Sequence, residues 1–190
     1  MTQALHRGLA EDDPRNRGPI DHFRPPQITE AHVRRRLERA FRHDSPAQVE
    51  ARVQRFLADM AARPPAPPPP LSQPLEAVAD PWMGMGARPD IIEELWRLDA
   101  ALPARCRWAV WGRPALVHHE TGVIFAIAVG TIGIAARLPP ELCRATPAVR
   151  PTSLGEPYDI STAGPEWHFL PLPAEEAHGL AAYAFAADPP

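Results

Sequence analysis

The best candidate for a polar functional site in this chain is a run of three residues, His118, His119 and Glu120. If a strand continues through position 120, His118 and Glu120 share a face, and the carboxylate could orient the imidazole. An imidazole held in this way is a candidate metal ligand. The tripeptide also runs into Thr121-Gly122, and such a sequence more often forms an exposed hairpin tip.

Further metal ligands would have to come from elsewhere in the chain, where His168 and Asp159 are the candidates. The two cysteines, Cys106 and Cys143, are too few for a disulfide framework or a four-thiolate zinc site. Neither has the neighbouring basic pattern that marks a low-pKa nucleophile. The sequence also lacks Gly-x-Ser-x-Gly, a Walker-type loop and His-Glu-x-x-His. We therefore predict no cofactor, no metal and no catalytic residue.

A run of arginines marks a candidate contact surface. On a helical wheel Arg35, Arg39 and Arg42 cluster on one side, although Glu30 and Glu38 reduce the positive field. Three interpretations stay open. In the first, the arginines contact an acidic protein surface, which belongs to a partner or to this chain's own C-terminal part. In the second, they contact the phosphates of nucleic acid. In the third, they are simply solvated.

Large apolar side chains mark two more candidate contact points. Trp82, Met83 and Met85 lie beside glycines, and Phe56 belongs to the apolar stripe of a predicted helix. Trp and Met supply large, adaptable apolar area that suits a protein contact surface. The alternative is that this segment wraps over its own domain and buries Trp82.

Two amphipathic helices are predicted to form a helical hairpin over residues 28–63. Thr29 can cap the first helix, and Ser45, Pro46 and Gln48 give the second a capping box with proline at its first position. A pair this small buries too little apolar surface to fold firmly alone. We therefore expect it to dock on the C-terminal domain or on a partner. The apolar stripes are Val33, Leu37, Ala40 and Phe41 in the first helix, and Val49, Val53, Phe56, Leu57 and Met60 in the second.

The segments on either side of the hairpin predict little regular structure. Residues 1–27 mix charges, glycine and proline with almost no apolar pattern, so we predict that they are disordered. Residues 64–74 contain a proline run and are predicted to form a stiff, extended spacer. Charge divides along the chain as well. Residues 1–63 carry 12 arginines and 9 acidic residues, a balance of +3, and residues 64–190 carry 8 and 14, a balance of −6.

Residues 75–190 predict an α+β domain with a small antiparallel sheet of about five strands and flanking helices. A helix with Asp90 and Glu93 as a capping pair precedes the strands, and an alanine-rich helix follows them at about 174–187. That last helix should turn residues 177, 180, 181, 184 and 185 inward. Residues 123–129 are predicted to alternate as a covered central strand, with apolar side chains on both faces. One face carries Val123, Phe125, Ile127 and Val129, and the other carries Ile124, Ala126, Ala128 and Gly130. The predicted strands are 107–111, 115–118, 123–129, 132–138 and 166–172.

The order of motifs from Ile91 to Ala186 resembles the MmcQ/YjbR-like and TfoX N-terminal domains. The residues that carry this resemblance are Leu102-Pro103, Trp111-Gly112-Arg113-Pro114, Val123–Ala126, Leu138-Pro139-Pro140-Glu141 and 167–185. The resemblance implies a compact α+β domain, with DNA binding proposed for some members. The insert 143–165 and the absence of lysine depart from that pattern.

Composition excludes several classes of protein. A hydrophobic content of 45% and a charged content of 23% are typical of globular proteins, so the chain is neither wholly disordered nor collagen-like. Its richness in alanine, arginine and proline is typical of a GC-rich bacterial genome. The most apolar run, residues 122–136, is too short for a membrane span and is interrupted by glycine. No secretory signal is visible, and we predict a cytoplasmic protein without a membrane partner.

These features favour a non-catalytic adaptor that binds a protein partner through the helical hairpin and the Trp/Met-rich segment. Two alternatives stay open. One is a DNA-binding protein of MmcQ/YjbR-like type, and the other is a metal-dependent enzyme that uses residues 118–120.

Overall fold

The computed structural model describes residues 6–25, 28–63, 67–78, 87–147, 149, 152–153 and 156–188. The chain divides into two compact units, one over residues 25–68 and the other over residues 1–24 together with 69–190. None of the described helices is both long and apolar enough to cross a bilayer. The helices are α1 (Pro14–Phe23), α2 (Glu30–Ala40), α3 (Pro46–Ala62), α4 (Pro89–Ala100), α5 (Pro140–Ala145) and α6 (Glu176–Ala187). The strands are β1 (Ser72–Pro74), β2 (Arg107–Val110), β3 (Arg113–Val117), β4 (Ile124–Val129), β5 (Gly133–Arg137), β6 (Thr152–Ser153), β7 (Glu156–Pro157) and β8 (Trp167–Phe169).

The larger unit is built on a six-stranded sheet in the order β1-β2-β3-β4-β5-β8, with every neighbouring pair antiparallel. The predicted α+β class is confirmed. The sixth strand arises because Ser72–Pro74, predicted as part of the spacer, pairs with β2 at the sheet edge. Proline is tolerated there because an edge strand does not need every N–H group. Trp111 and Gly112, with φ of 50° and 72°, join β2 to β3 in the left-handed conformation that tight hairpins require.

Both faces of β4 are buried, as the sequence predicted, but its side chains do not alternate in the predicted way. Pairing with β3 shifts register so that Leu116 faces Ala126 while Val117 faces Ile124, which leaves Phe125 as a bulge. Phe125 and Ala126 therefore belong to the same apolar cluster. The prediction that Phe125, Ile127 and Val129 share a face was wrong because strict alternation fails across a bulge.

One face of the sheet is covered by α4 and α6. The inward side of α6 differs from the prediction, since Leu180 is 42% exposed and the buried positions are His178, Gly179, Ala182 and Ala186. Gly179 lets α6 approach Leu98 of α4 closely. Packing against α4 thus decided the rotation of a helix that is apolar nearly all round.

The predicted capping pair of α4 is also absent. The helix begins after Arg88, which makes no side-chain capping bond, and Pro89 occupies its first turn. Asp90 is held instead by an ion pair with Arg88, at 2.6 Å. A proline start with its preset φ replaces the side-chain cap.

The other face of the sheet is covered by α1, within the segment predicted to be disordered. Asp13 caps this helix, and its side chain accepts a hydrogen bond from the Arg15 N–H group. Ile20 and Phe23 are buried in the apolar cluster of that face. The prediction of disorder was therefore wrong for residues 14–23, where a few apolar side chains suffice because a sheet is already present to receive them.

The smaller unit is the helical hairpin of α2 and α3, and its predicted caps are confirmed. Thr29 accepts a hydrogen bond from the His32 N–H group, and Ser45 and Gln48 form the reciprocal capping box. The buried side chains of the two helices are Val33, Val49 and Val53. This is a small apolar core for two helices of 11 and 17 residues.

Candidate functional site

The helical hairpin buries little apolar surface and exposes two aromatic side chains. Phe56 is 44% exposed on α3, and Phe41 is 36% exposed just after α2. The Arg52 guanidinium lies 4.0 Å from the centroid of the Phe41 ring, so this ring already has a cationic partner. Phe56 has no such cover among the described residues. Phe56, the predicted apolar contact residue that lies within the described ranges, is thus accessible.

A shallow groove of 350 Å³ lies between the end of α2 and the start of α3. Three ion pairs span or flank it, because Arg34 bonds both Glu30 and Glu50, and Arg52 bonds Asp44 at 2.7 Å. The Arg34 hydrogen bond holds the pKa of Glu50 below its ordinary value. The groove is lined by Arg34, Glu38, Phe41, Arg42, Asp44, Pro46, Val49 and Glu50.

The predicted arginine cluster lies on the solvent side of the hairpin. Arg35, Arg39 and Arg42 are all exposed. Within the part of the chain that the structure describes, no carboxylate pairs with Arg35 or Arg42, and Arg42 donates only to the imidazole of His43, at 3.2 Å. The positive charges of Arg35 and Arg42 are therefore available to an acidic partner or to a phosphate backbone. Trp82, Met83 and Met85 lie outside the described residues.

The polar tripeptide at 118–120 does not form the predicted arrangement. Strand β3 ends at Val117, so His118 and Glu120 do not share a strand face. His118 is only 2% exposed, and its Nδ1 accepts a hydrogen bond from the Thr121 N–H group at 3.2 Å. Glu120 lies instead beside His119, with 3.6 Å between carboxylate and imidazole. Only Glu120 matches the expectation of an exposed hairpin tip.

His118 belongs to a cluster of rings. Its centroid lies 4.5 Å from that of Tyr183 and 5.0 Å from that of His119, and the Tyr183 hydroxyl bonds His119 Nδ1 at 3.1 Å. Burial is the main cause that lowers the pKa of His118, and the neighbouring His119 lowers it further. The imidazole is therefore held neutral as a structural acceptor.

The other proposed metal ligands are not brought to His118. Asp159 and His168 line a separate 230 Å³ cleft beside β8, in which His118 takes no part. Across the described ranges, no three or more His, Cys, Asp or Glu side chains are grouped so that they could hold a metal ion. The structure therefore gives no support to a metal-dependent site built on residues 118–120.

The thiols are poor nucleophiles. Cys106 is fully buried, and burial, with the nearby Asp99 carboxylate, raises the pKa of its thiol to about 12. Burial also raises the pKa of Cys143. Asp99 itself is committed to structure, because it accepts hydrogen bonds from the Cys106 N–H group at 2.8 Å and from Arg107 at 2.7 Å.

Sequence reasoning missed the polar residues of the N-terminal segment. Asn16 is fully buried and donates to the Gly122 carbonyl in the turn between β3 and β4, and the half-buried His6 bonds the carbonyl of Val117, the last residue of β3. One signal was present. Asp13-Pro14 is a cap followed by a proline at the first helical position, and Ile20 and Phe23 follow at helical spacing.

Comparison of the chain with family models, curated proteins and solved structures finds no match. The resemblance to the MmcQ/YjbR-like and TfoX N-terminal domains therefore stays a prediction from the sequence.

Proposed function

We propose that the protein is a non-catalytic adaptor that binds a protein partner through its helical hairpin. The observation that carries this proposal is the exposure of Phe56 on a unit whose buried helical core consists of three valines. A cytoplasmic location and a second contact through the Trp82, Met83 and Met85 segment belong to the same proposal, and both rest on the sequence.

The size of the hairpin supports the proposal. Its unit spans residues 25–68, close to the length of about 40 residues below which a chain usually needs a metal, disulfides or association to fold stably. Isolated helices of this length gain most of their stability from packing of an apolar face. A partner that covers Phe56 would supply part of that packing.

The chemistry of the surface supports it as well. A phenylalanine that passes from solvent into an interface is a large apolar contribution, since buried aromatic side chains remove about 150–250 Å² from water. Arginine and aromatic residues are enriched among interface residues that dominate binding energy. The hairpin presents both residue types on its surface, the aromatic residue as Phe56 and the arginines as Arg35, Arg39 and Arg42.

The test is site-specific photocrosslinking of the full-length chain in its native host. A benzophenone amino acid at position 56 should yield a defined adduct with a protein that mass spectrometry can identify. The same group at Ala58, an exposed position about 200° away on α3, is the matched control and should yield much less of it. Equal adducts at the two positions, or none at position 56, would contradict the proposal.

DNA binding through α2 is the second candidate, and the uncompensated charges of Arg35 and Arg42 favour it. Two phosphate contacts, from Arg35 and Arg42, would give a slope of about −2 in a plot of log affinity against log salt concentration. Replacement of Arg35, Arg39 and Arg42 by glutamine should then abolish DNA retention, while Phe56→Ala should leave it unchanged. No retention of the wild-type protein at about 50 mM salt would remove this candidate.

A further inference from the structure

The N-terminal residues 6–23, here called the N-terminal strap, are bonded along the turn between β3 and β4. The Arg7 N–H group donates to the His119 carbonyl at 3.0 Å, and the Ala10 N–H group donates to the Gly122 carbonyl at 2.9 Å. Helix α1 then continues the strap over the apolar face of the sheet, where Phe23 is buried. The strap thus covers a face that would otherwise meet water.

His6 anchors the first end of the strap and must be neutral to do so. Its Nε2 lies 3.0 Å from the Val117 carbonyl oxygen, which can only accept, so Nε2 carries the proton. Its Nδ1 accepts the Gly8 N–H group at 2.9 Å and therefore carries none. The ring also stacks on Trp108, with 4.9 Å between centroids and 10° between planes.

His118 holds the surface that receives the strap, and it too must be unprotonated at Nδ1. It accepts there from the Thr121 N–H group, one residue before the Gly122 carbonyl that Ala10 and Asn16 both bond. Two neutral imidazoles, one on each side of the contact, are therefore built into the docking of the strap.

The charges around these rings do not favour their protonation. Burial is the largest cause and lowers the pKa of His6, whereas its hydrogen bond to the Val117 carbonyl raises it. Of the facing groups, His119 lowers the pKa of His6 and Asp99 raises it. His118 faces Glu120, which raises its pKa, and His119, Arg15 and His6, which lower it, and burial is again the largest cause. The Asp99 carboxylate is already paired with Arg107.

The far end of the strap holds a third imidazole that need not lose its contacts. His22 lies 3.0 Å from the Tyr158 hydroxyl and 2.5 Å from the Thr162 hydroxyl. Hydroxyl groups accept as well as donate, so a protonated His22 keeps both bonds. Burial and the nearby Arg113 lower its pKa, while Asp159 raises it.

We propose that the N-terminal strap is an acid-released cover, which leaves the sheet when His6 and His118 take up protons. Protonation removes the Nδ1 acceptor of each ring and places positive charges together at the contact. Since burial lowers both pKa values below the ordinary 6.5, the stability that these rings give to docking is present above about pH 6.5. It is lost as the pH falls through the lowered values. Release uncovers the apolar side chains around Val117, Ile124 and Trp167.

The test is hydrogen exchange of the full-length protein, followed by mass spectrometry at about pH 7.5 and about pH 5. After correction for the intrinsic pH dependence, we expect exchange of residues 6–23 to accelerate about tenfold at the lower pH, because each lost hydrogen bond is worth several-fold. Exchange of β5, which is paired within the sheet to β4 and β8, should not change. His6→Gln, which cannot titrate there, should reduce the pH effect, and His118→Gln should reduce it independently. His43→Gln on the exposed surface of the hairpin is the matched control and should keep the full effect.

Two results would overturn the proposal. One is equal protection of residues 6–23 at both pH values. The other is a loss of protection that β5 shares, since this would be global acid unfolding. If His118→Gln does not fold, His6→Gln alone decides, and an undiminished pH effect in that variant refutes the part assigned to His6.

Discussion

At the scale of single residues, Asn16 joins the N-terminal strap to the sheet. Its amide group donates to the Gly122 carbonyl at 2.9 Å and to the Ala10 carbonyl at 2.7 Å, and its Oδ1 accepts the Ile124 N–H group at 2.8 Å. This position requires the amide group, because it satisfies three backbone groups and no apolar side chain can replace its bonds.

We expect Asn16→Ala to destabilise the larger unit by about 2 kcal/mol, because backbone groups of the turn and of β4 lose a buried partner. Urea unfolding, followed by tryptophan fluorescence, measures this change. Arg17→Ala is the matched control, since Arg17 is the next residue of α1 and is exposed. A similar loss in both variants would mean that the effect comes from the helix itself and not from the Asn16 side chain.

At the scale of elements, the starts of α2 and α3 followed short-range signals, whereas the side that each element buries did not. The caps of α2 and α3 were predicted from three or four neighbouring residues. The rotation of α6 depends on Leu98, about 80 positions earlier in the chain, and the faces of β4 depend on a bulge opposite β3. Helix α1 shows the same dependence, because Gly18 packs directly against the backbone of Ala163.

We expect Gly18→Ala to weaken the docking of α1. Alanine favours the helix by up to about 1 kcal/mol, but its Cβ would overlap the carbonyl oxygen of Ala163, and overpacking costs about 1–3 kcal/mol. Faster hydrogen exchange in residues 14–23 measures the weakening.

Gly179→Ala provides the contrast for that variant. A Cβ at this position of α6 would lie 3.3 Å from Leu98 Cδ2, which is the movable end of a side chain. We therefore expect Gly179→Ala to weaken the docking of α6 less than Gly18→Ala weakens the docking of α1. Equal or slower exchange of α1 in Gly18→Ala than in the wild type would show that helix propensity outweighs the contact.

At the scale of the whole molecule, the two compact units have very different cores. The helices of the hairpin bury three valines, while the larger unit buries two apolar clusters on opposite faces of its sheet. Hydrophobic stabilisation grows with the apolar area removed from water, so we expect the hairpin to have the smaller free energy of unfolding. Separate unfolding of the units follows from this difference.

We expect Val53→Ala to unfold the hairpin selectively, because removing two methyl groups from a fully buried position costs about 2 kcal/mol. Hydrogen exchange should accelerate in residues 30–62 and stay unchanged in β4 and β5. Val129→Ala in β4 is the reciprocal control and should spare the hairpin. Coupled acceleration of both units in either variant would show that they unfold as one.

The sequence by itself determined the α+β class, the hairpin with its caps at Thr29 and Ser45, and the buried central strand. Each of these depends on residues within about one turn or one strand of each other. Only the tertiary structure decided that α1 is ordered, that His118 is a buried acceptor and that Phe125 bulges. The physical reason is that these outcomes depend on contacts between distant segments, whose partners no local pattern of residues specifies.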